Sequence, residues 1–155
     1  MNYDIIDTIV RTAIDATRNA YVEHGSIATG ACLLAADGTL YSGCAIDSVI
    51  PEFKLPAEVV VMAKAISEGK REFDAVCVVA DIEGTYMPDE LSHKFLLEFN
   101  VPEIILADMK GNTKVMPLEE FVPYKVRRRL KILGHEKNSL PVDGESFLLS
   151  KVHRS

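Results

Sequence analysis

The sequence has no tryptophan, only three cysteines and fewer basic than acidic residues. No apolar run approaches the roughly 18 residues that cross a bilayer, and no basic N-terminal region precedes an apolar stretch. We therefore expect neither a membrane span nor a secretory signal. Cys32, Cys44 and Cys77 are odd in number and widely spaced, which favours reduced thiols in a cytoplasmic protein over a disulfide scaffold.

The charges are unevenly distributed along the 155 residues, although the formal net charge is only −6. Residues 1–123 carry a net charge of −11, and residues 124–155 carry +5. The length predicts one domain, over 1–123, followed by a basic C-terminal tail over 124–155 that is helical in part. We expect the tail to be solvated or to fold back on its own body, and a contact with a sister subunit or an anion is the alternative. Nucleic-acid binding is not expected from this charge balance.

Hydrophobic periodicity and turn signals predict an alternation of helices and strands. In chain order they predict a helix over 3–21, hairpin strands over 31–35 and 39–42, an irregular segment over 43–55 and a helix over 57–68. A strand follows over 74–80, then a helix that Pro88 and Asp89 open and that runs through residue 98, strands over 103–107 and 113–116, and a helical turn over 117–121. Asp37-Gly38 is a strong hairpin signal between the first two strands. The order suits a three-layer α/β domain with a mixed sheet.

Three segments carry a family resemblance. The first segment begins with T-G-A-C-L-L at Thr29 and continues through Asp37-Gly38 to S-G-C at Ser42. The second is Pro56-Ala57-Glu58, which is followed by A-K-A-I-S-E-G at Ala63. The third runs from Pro88 to Phe99. They resemble the V-G-A-A-L-L…D-G…T-G-C, C-A-E…K-A-I-S-E-G and P-C-G-x-C-R-Q…E-F blocks of the cytidine deaminase family, which includes blasticidin-S deaminases. The resemblance spans about residues 9–123 and implies that family's three-layer fold, with a mixed central sheet between helices.

The resemblance also implies a zinc site, and this sequence departs from it. Zinc deaminases use three His or Cys ligands, a zinc-bound hydroxide and a Glu that moves protons without binding the metal. Glu58 stands at the Glu position, but Pro56, Asp89 and Ser92 stand where the family has its ligands. Of these three, only Asp89 offers a group that binds zinc well. We therefore expect no zinc, no other cofactor and no zinc-dependent deamination.

The residues that correspond to the family's substrate pocket have changed as well. The family's ribose-binding N-x-E is Ala45-Ile46-Asp47 here, so the Asn is lost and the Glu is shortened. Ile27 replaces a Phe that packs on the nucleoside, and His93 replaces an Arg. Ile27, Ala45, Asp47 and His93 are thus pocket candidates, and we expect recognition of cytidine to be altered.

Each of these residues also has a purely structural interpretation. Pro56 and Glu58 suit the first turn of a helix, and Asp89 suits an N-cap with Ser92 in the same turn. A sharper alternative is a different metal site, because Asp89 and His93 are four residues apart and Glu58 would approach from the neighbouring helix. A His with carboxylates suits Fe(II) or Mn(II). The three cysteines are expected to be structural thiols.

The leading hypothesis is a degenerate family member without zinc chemistry. It would be a non-catalytic protein that binds a small, nucleoside-like molecule, or a degenerate subunit, and the resemblance implies a homo-oligomer. The alternative is an enzyme of altered chemistry on a nucleoside-like substrate. That enzyme would use Glu58 with Asp89 or His93, either metal-free or with a metal other than zinc. A third possibility is a structural or partner-binding role through the basic tail.

Overall fold

The computed structural model describes residues 1–23 and 25–121. The predicted basic tail over 124–155 lies outside the described residues. The helices and strands are, in chain order, α1 (Tyr3–Ala16), β1 (Thr29–Ala35), β2 (Leu40–Cys44), β3 (Ile46–Asp47), β4 (Lys54–Leu55), α2 (Ala57–Ser67), β5 (Phe73–Ala80), α3 (Glu90–Glu98), β6 (Glu103–Ala107) and β7 (Thr113–Pro117). Single 3₁₀ turns cover Thr17–Asn19, Pro51–Phe53 and Leu118–Phe121.

Five strands form one mixed sheet in the order β2-β1-β5-β6-β7. All neighbouring pairs are antiparallel except β5 and β6, which are parallel and are connected through α3. Every residue of β1 is buried, as is β5 apart from Asp74. This burial explains the continuous apolar runs, since a strand covered on both faces needs no polar alternation. The predicted mixed sheet is confirmed.

Helices cover both faces of this sheet, so the predicted three layers are confirmed. On one face α1 buries Ile9 and Ala13 among side chains that include Cys32 and Cys77. On the other face α2 and α3 bury apolar side chains against the opposite sides of the same strands, among them Val61, Met62, Leu96, Leu33 and Val76. Burying each large apolar side chain contributes roughly 1.5–3 kcal/mol. Within the described residues, no helix is both long enough and apolar enough to cross a membrane.

One glycine allows α1 to lie close to the sheet. A Cβ atom at Gly30 would lie 2.2 Å from the carbonyl oxygen of Ala13 and 2.7 Å from the amide nitrogen of Thr17. Both of these are backbone atoms, which cannot move aside as a flexible side chain can. Gly30 therefore sets the distance between the C-terminal half of α1 and β1.

Two parts of the sequence prediction are wrong. The first helix ends at Ala16 rather than residue 21, because the chain tightens into a 3₁₀ turn and then leaves helical geometry at Ala20, where ψ is 132°. The segment over 43–55 is not irregular throughout. It completes β2 and then forms the short antiparallel pair of β3 and β4, in which Asp47 lies opposite Lys54. Two-residue strands are too short to produce a readable period.

Candidate functional site

A cleft of about 990 Å³ opens where the N-terminal ends of α2 and α3 meet the β3–β4 pair. It lies on the side of the sheet that α2 and α3 cover. Six of the eight residues singled out from the sequence line this cleft: Ile27, Ala45, Asp47, Pro56, Asp89 and Ser92. The structure therefore brings together residues that are up to 65 positions apart in the chain. The other two, Glu58 and His93, lie behind its wall, where they are 1 % and 3 % exposed.

Glu58 is a buried carboxyl group in the first turn of α2. The Ser92 hydroxyl donates a hydrogen bond to it, while its Oε2 atom has no hydrogen-bond partner among the described residues. Burial raises the pKa of Glu58, and the nearby negative charge of Asp89 raises it further. A buried acceptor without a partner costs roughly 1–3 kcal/mol. Glu58 is thus held toward its protonated form, and a further hydrogen-bond donor would be favourable there.

Asp89 is the N-cap of α3, as its sequence context predicts. Its Oδ1 atom accepts a hydrogen bond from the backbone N–H of Ser92 at 2.8 Å. Pro56 occupies the N-cap position of α2 with φ −62° and no side-chain hydrogen bond to the helix. Both residues therefore have structural roles at the helix ends that line the cleft.

Asp47 is the most firmly held carboxylate of the cleft. It is only 5 % exposed. The Ser26 hydroxyl donates to its Oδ2 atom at 2.5 Å, and Lys54 Nζ lies 3.3 Å from its Oδ1 atom. Because Lys54 is also the partner of Asp47 across the β3–β4 pair, the ion pair fixes the short strands that form this wall.

His93 lies in α3 but does not line the cleft. Burial lowers its pKa, and the charge of Asp89 works in the opposite direction. Within residues 1–23 and 25–121, no three His, Cys, Asp or Glu side chains are grouped closely enough to hold a metal ion. The geometry thus does not support the alternative iron or manganese site made from Glu58, Asp89 and His93.

The residues at the family's ligand positions do not fit zinc. Pro56 has no donor atom on its side chain, Ser92 offers a neutral hydroxyl, and the Asp89 carboxylate caps α3. Cys32 and Cys77 do not compensate, because they pack on the α1 side of the sheet, opposite the cleft. Burial raises the pKa of Cys32 to about 12 and raises that of Cys77 as well, so both remain thiols.

The sequence did not identify several other residues that line the cleft. Among these residues are Lys54, Tyr86, Lys94, Phe95 and Glu98. Phe95 lies within α3, and Tyr86 lies in a loop that has no periodic pattern. Burial raises the pKa of Tyr86, as do the charges of Glu58 and Asp89, so the phenol lies within electrostatic reach of both carboxyls. The available sequence signal for these cleft residues was a basic or aromatic residue close to the predicted start of a helix.

The fold is shared with a solved cytidine deaminase. The crystal structure of cytidine deaminase from Burkholderia pseudomallei superimposes with a TM-score of 0.72 at 25 % identity, covering 80 % of this chain and 98 % of that one. The structure from Mycobacterium leprae gives a TM-score of 0.65 at 23 % identity, over 79 % of this chain and 98 % of that chain. The architecture therefore defines a protein of the cytidine-deaminase-like α/β class.

Sequence comparison places the chain more narrowly, although no family model matches it. It is 32 % identical over 121 residues to a cytidine deaminase of Sporosarcina psychrophila, which covers 76 % of this chain and 88 % of that relative. A cytidine deaminase of Halalkalibacterium halodurans is 28 % identical over 117 residues, which cover 74 % of this chain and 89 % of the relative. The chain belongs to the cytidine deaminase family.

Proposed function

We propose that this family member has lost zinc-dependent deamination and binds a small, nucleoside-like molecule without converting it, either alone or as a degenerate subunit. The observation that carries this proposal is the donor set at the N-terminal ends of α2 and α3. Without a metal, water keeps a pKa near 15.7 rather than about 7, so a hydroxide nucleophile is not generated. The cleft of about 990 Å³ supports a retained binding function.

The proposal is tested by measuring metal content and deamination on the same preparation. We expect less than about 0.1 zinc per chain after incubation with zinc and removal of the excess, and no conversion of cytidine to uridine. Stoichiometric zinc together with turnover of cytidine would overturn the proposal.

A matched variant makes that result interpretable. Replacing Pro56→Cys, Asp89→Cys and Ser92→Cys together restores three thiol donors at the positions that the resemblance identifies. We expect this variant to retain about one zinc per chain, since three thiolates and a water complete a tetrahedral site. If circular dichroism shows that this variant is folded and it still retains no more zinc than the wild type, the three replaced side chains do not explain why the wild type binds no zinc.

The competing function is metal-free proton chemistry on a nucleoside-like substrate. It is favoured by one observation, namely that burial and the charge of Asp89 raise the pKa of Glu58 beside the cleft. Such an enzyme would convert its substrate in the presence of a chelator and would lose activity in the Glu58→Gln variant. No product formation by the chelator-treated wild type, with nucleosides as substrates, is the result expected from a binding protein.

We also propose that the protein assembles with further copies of itself. Large apolar side chains beside the cleft are exposed, with Val49 75 %, Phe53 61 % and Leu91 75 % exposed. Val49 and Phe53 belong to the connection between β3 and β4, and Leu91 is in the first turn of α3. Exposed apolar patches on one side of a domain are typical of protein–protein contacts.

A further inference from the structure

Two carboxyl groups meet at one serine in the wall of the cleft. Asp89 accepts the backbone N–H of Ser92, and the Ser92 hydroxyl donates to Glu58. Asp89 is exposed on the wall of the cleft, whereas Glu58 is buried behind it. The residues around Glu58, namely Pro56, Val59 and Ser92, all line the cleft. A ligand that enters between these side chains would therefore meet both carboxyls.

One of these carboxyls has an unused hydrogen-bonding atom. The Oε2 atom of Glu58 is buried and receives no hydrogen bond from any described residue. Buried polar atoms are almost always hydrogen-bonded in folded proteins. A cationic N–H donor at this atom would also favour the ionised form of Glu58, against the effect of burial on its pKa. A ligand that reaches this atom therefore gains most if it brings an N–H donor.

The charges that line the cleft favour a positive ligand. Its two lysines already have acidic partners, since Lys54 pairs with Asp47 at 3.3 Å and Lys94 pairs with Glu90 at 3.4 Å. Neither Asp89 nor Glu98 forms a salt bridge within the described part of the chain. The remaining charge of the cleft is negative, and a carboxylate in a partly enclosed site attracts cations more strongly than one in open solvent.

The aromatic residues indicate an organic cation rather than a metal ion. Tyr86 and Phe95 line the cleft, and Tyr86 lies within electrostatic reach of both Glu58 and Asp89. Aromatic rings attract organic cations through their faces. The described residues contain no group of three metal-binding side chains.

We propose that the cleft binds its ligand through a protonated nitrogen group, such as an amine, amidine or guanidine, held by Glu58 and Asp89 beside Tyr86. This inference rests on the proposed small-molecule binding function and adds the charge of the ligand. The nitrogen group donates to the Oε2 atom of Glu58 and balances the charge of Asp89. The apolar wall formed by Ile27, Leu55 and Phe95 contacts the rest of the molecule.

Three probes of equal shape and different charge test the inference. Benzamidine, benzamide and benzoate are cationic, neutral and anionic at neutral pH, and calorimetric titration of the full chain measures their affinities. We expect benzamidine to bind at least about tenfold more tightly than benzamide, and benzoate to bind most weakly. Equal affinities, a preference for benzoate, or no binding of benzamidine at about 10 mM would each overturn the inference.

Substitutions that preserve shape identify the groups responsible. Glu58→Gln and Asp89→Asn each remove a carboxylate, and Asn retains the ability to cap α3. We expect each to weaken benzamidine binding by about tenfold and to change benzamide binding by less than about twofold. Asp7→Asn removes one exposed charge from α1, on the opposite face of the sheet, and should leave all three affinities unchanged. Loss of affinity for benzamide equal to that for benzamidine would assign the carboxyls a merely structural role.

The failure of this inference differs from failure of the proposed function. Binding of benzamide and benzamidine with equal affinity, with no zinc and no turnover, would leave a small-molecule binding protein without charge selection. Stoichiometric zinc and turnover of cytidine would overturn the proposed function whatever the order of the three probes.

Discussion

Glu58 couples protonation to folding because its carboxyl group leaves water when the chain folds. It is 1 % exposed, and its pKa is raised by burial and by the charge of Asp89. The folded state therefore binds this proton more tightly than the unfolded state does. The stabilisation is fully present below the unfolded-state pKa of about 4.5 and is lost as the pH rises through the folded-state pKa.

We predict that the stability advantage of the wild type over the Glu58→Gln variant is larger at low pH than at high pH. The unfolding free energy of the wild type, minus that of Glu58→Gln, should fall as the pH rises above about 4.5. Urea denaturation at several pH values measures both proteins. Asp37 and Asp108 have lowered pKa values, so they contribute stability that is lost toward acid, but they contribute equally to both proteins. A difference that does not vary with pH would contradict this account of Glu58.

Asp89 contributes to stability through one defined hydrogen bond. Removing the cap with Asp89→Ala should lower the unfolding free energy by about 1 kcal/mol, because the Ser92 N–H loses its acceptor. Asp89→Asn should cost much less, and Glu83→Ala, at an exposed position in the loop before α3, provides the control. Equal losses for Ala and Asn, measured by urea denaturation, would show that the charge rather than the cap matters.

For Glu58 and Asp89, the sequence predicted the position in the fold better than it predicted the burial of the side chain. The family motifs identified Glu58 and Asp89, and the preference of Asp for an N-cap predicted the hydrogen bond to α3. Burial of Glu58 and His93 behind the cleft wall could not be predicted, because it depends on how α2 and α3 pack against each other. Tyr86 was missed for the same reason, since loop residues reach the cleft only through tertiary structure.

Among the secondary-structure elements, α1 depends on close contact with the sheet at Gly30. A methyl group there would collide with the backbone of Ala13 and Thr17, whereas one at Gly43 would meet the side chains of Val60 and Val61 at 2.9 and 3.0 Å. Side chains can change rotamer, but a helix backbone must move as a unit. The two glycines thus differ in which atoms a Cβ would meet: backbone atoms at Gly30 and side-chain atoms at Gly43.

We predict that Gly30→Ala destabilises the protein more than Gly43→Ala does. The first substitution should cost about 1–3 kcal/mol or more, because α1 must shift away from β1. The second should cost less, because Val60 is able to adjust. Thermal and urea denaturation compare the two variants with the wild type, and a larger loss for Gly43→Ala would contradict the structure at this contact.

The longer elements were predictable from sequence and the shortest ones were not. The apolar runs of β5 and β6 are long enough to indicate buried strands, and Asp37-Gly38 marks the hairpin turn between β1 and β2. The β3–β4 pair has two residues in each strand, and it depends on the Asp47–Lys54 ion pair and on a bridge between Tyr21 and Ile46. Such tertiary contacts leave no local period in the sequence.

For the molecule as a whole, the distribution of exposed apolar side chains argues for self-assembly. Val49 and Phe53 lie beside the cleft on the connection between β3 and β4, while Tyr3 is 91 % exposed on α1. Tyr3 is close in sequence to the exposed Met1 and Ile5, so the start of α1 is a second exposed apolar surface. Groups of exposed apolar side chains are less common on monomers than single ones. The order of the three motif blocks predicted the fold, whereas the proposed self-assembly depends on surface geometry that the sequence does not show.

We predict that the wild type sediments as an assembly of several chains and that Val49→Ser with Phe53→Ser shifts it to the mass of one chain. The physical reason is loss of apolar surface that contacts a second copy. Tyr3→Ser is the matched control and should leave the mass unchanged. A wild type that already sediments as one chain would reject self-assembly. An unchanged mass for the double variant would show that the contact lies on another surface.

The cap of α3 has a consequence for hydrogen exchange. The amide of Ser92 is protected by Asp89, and both residues line the cleft. Exchange of that amide with deuterium requires the first turn of α3 to open, and opening removes part of the cleft wall. A bound molecule that contacts Asp89 therefore opposes the same opening. We predict that a molecule bound at Asp89 slows exchange of the Ser92 amide, so this one amide would report cleft occupancy without a dye label.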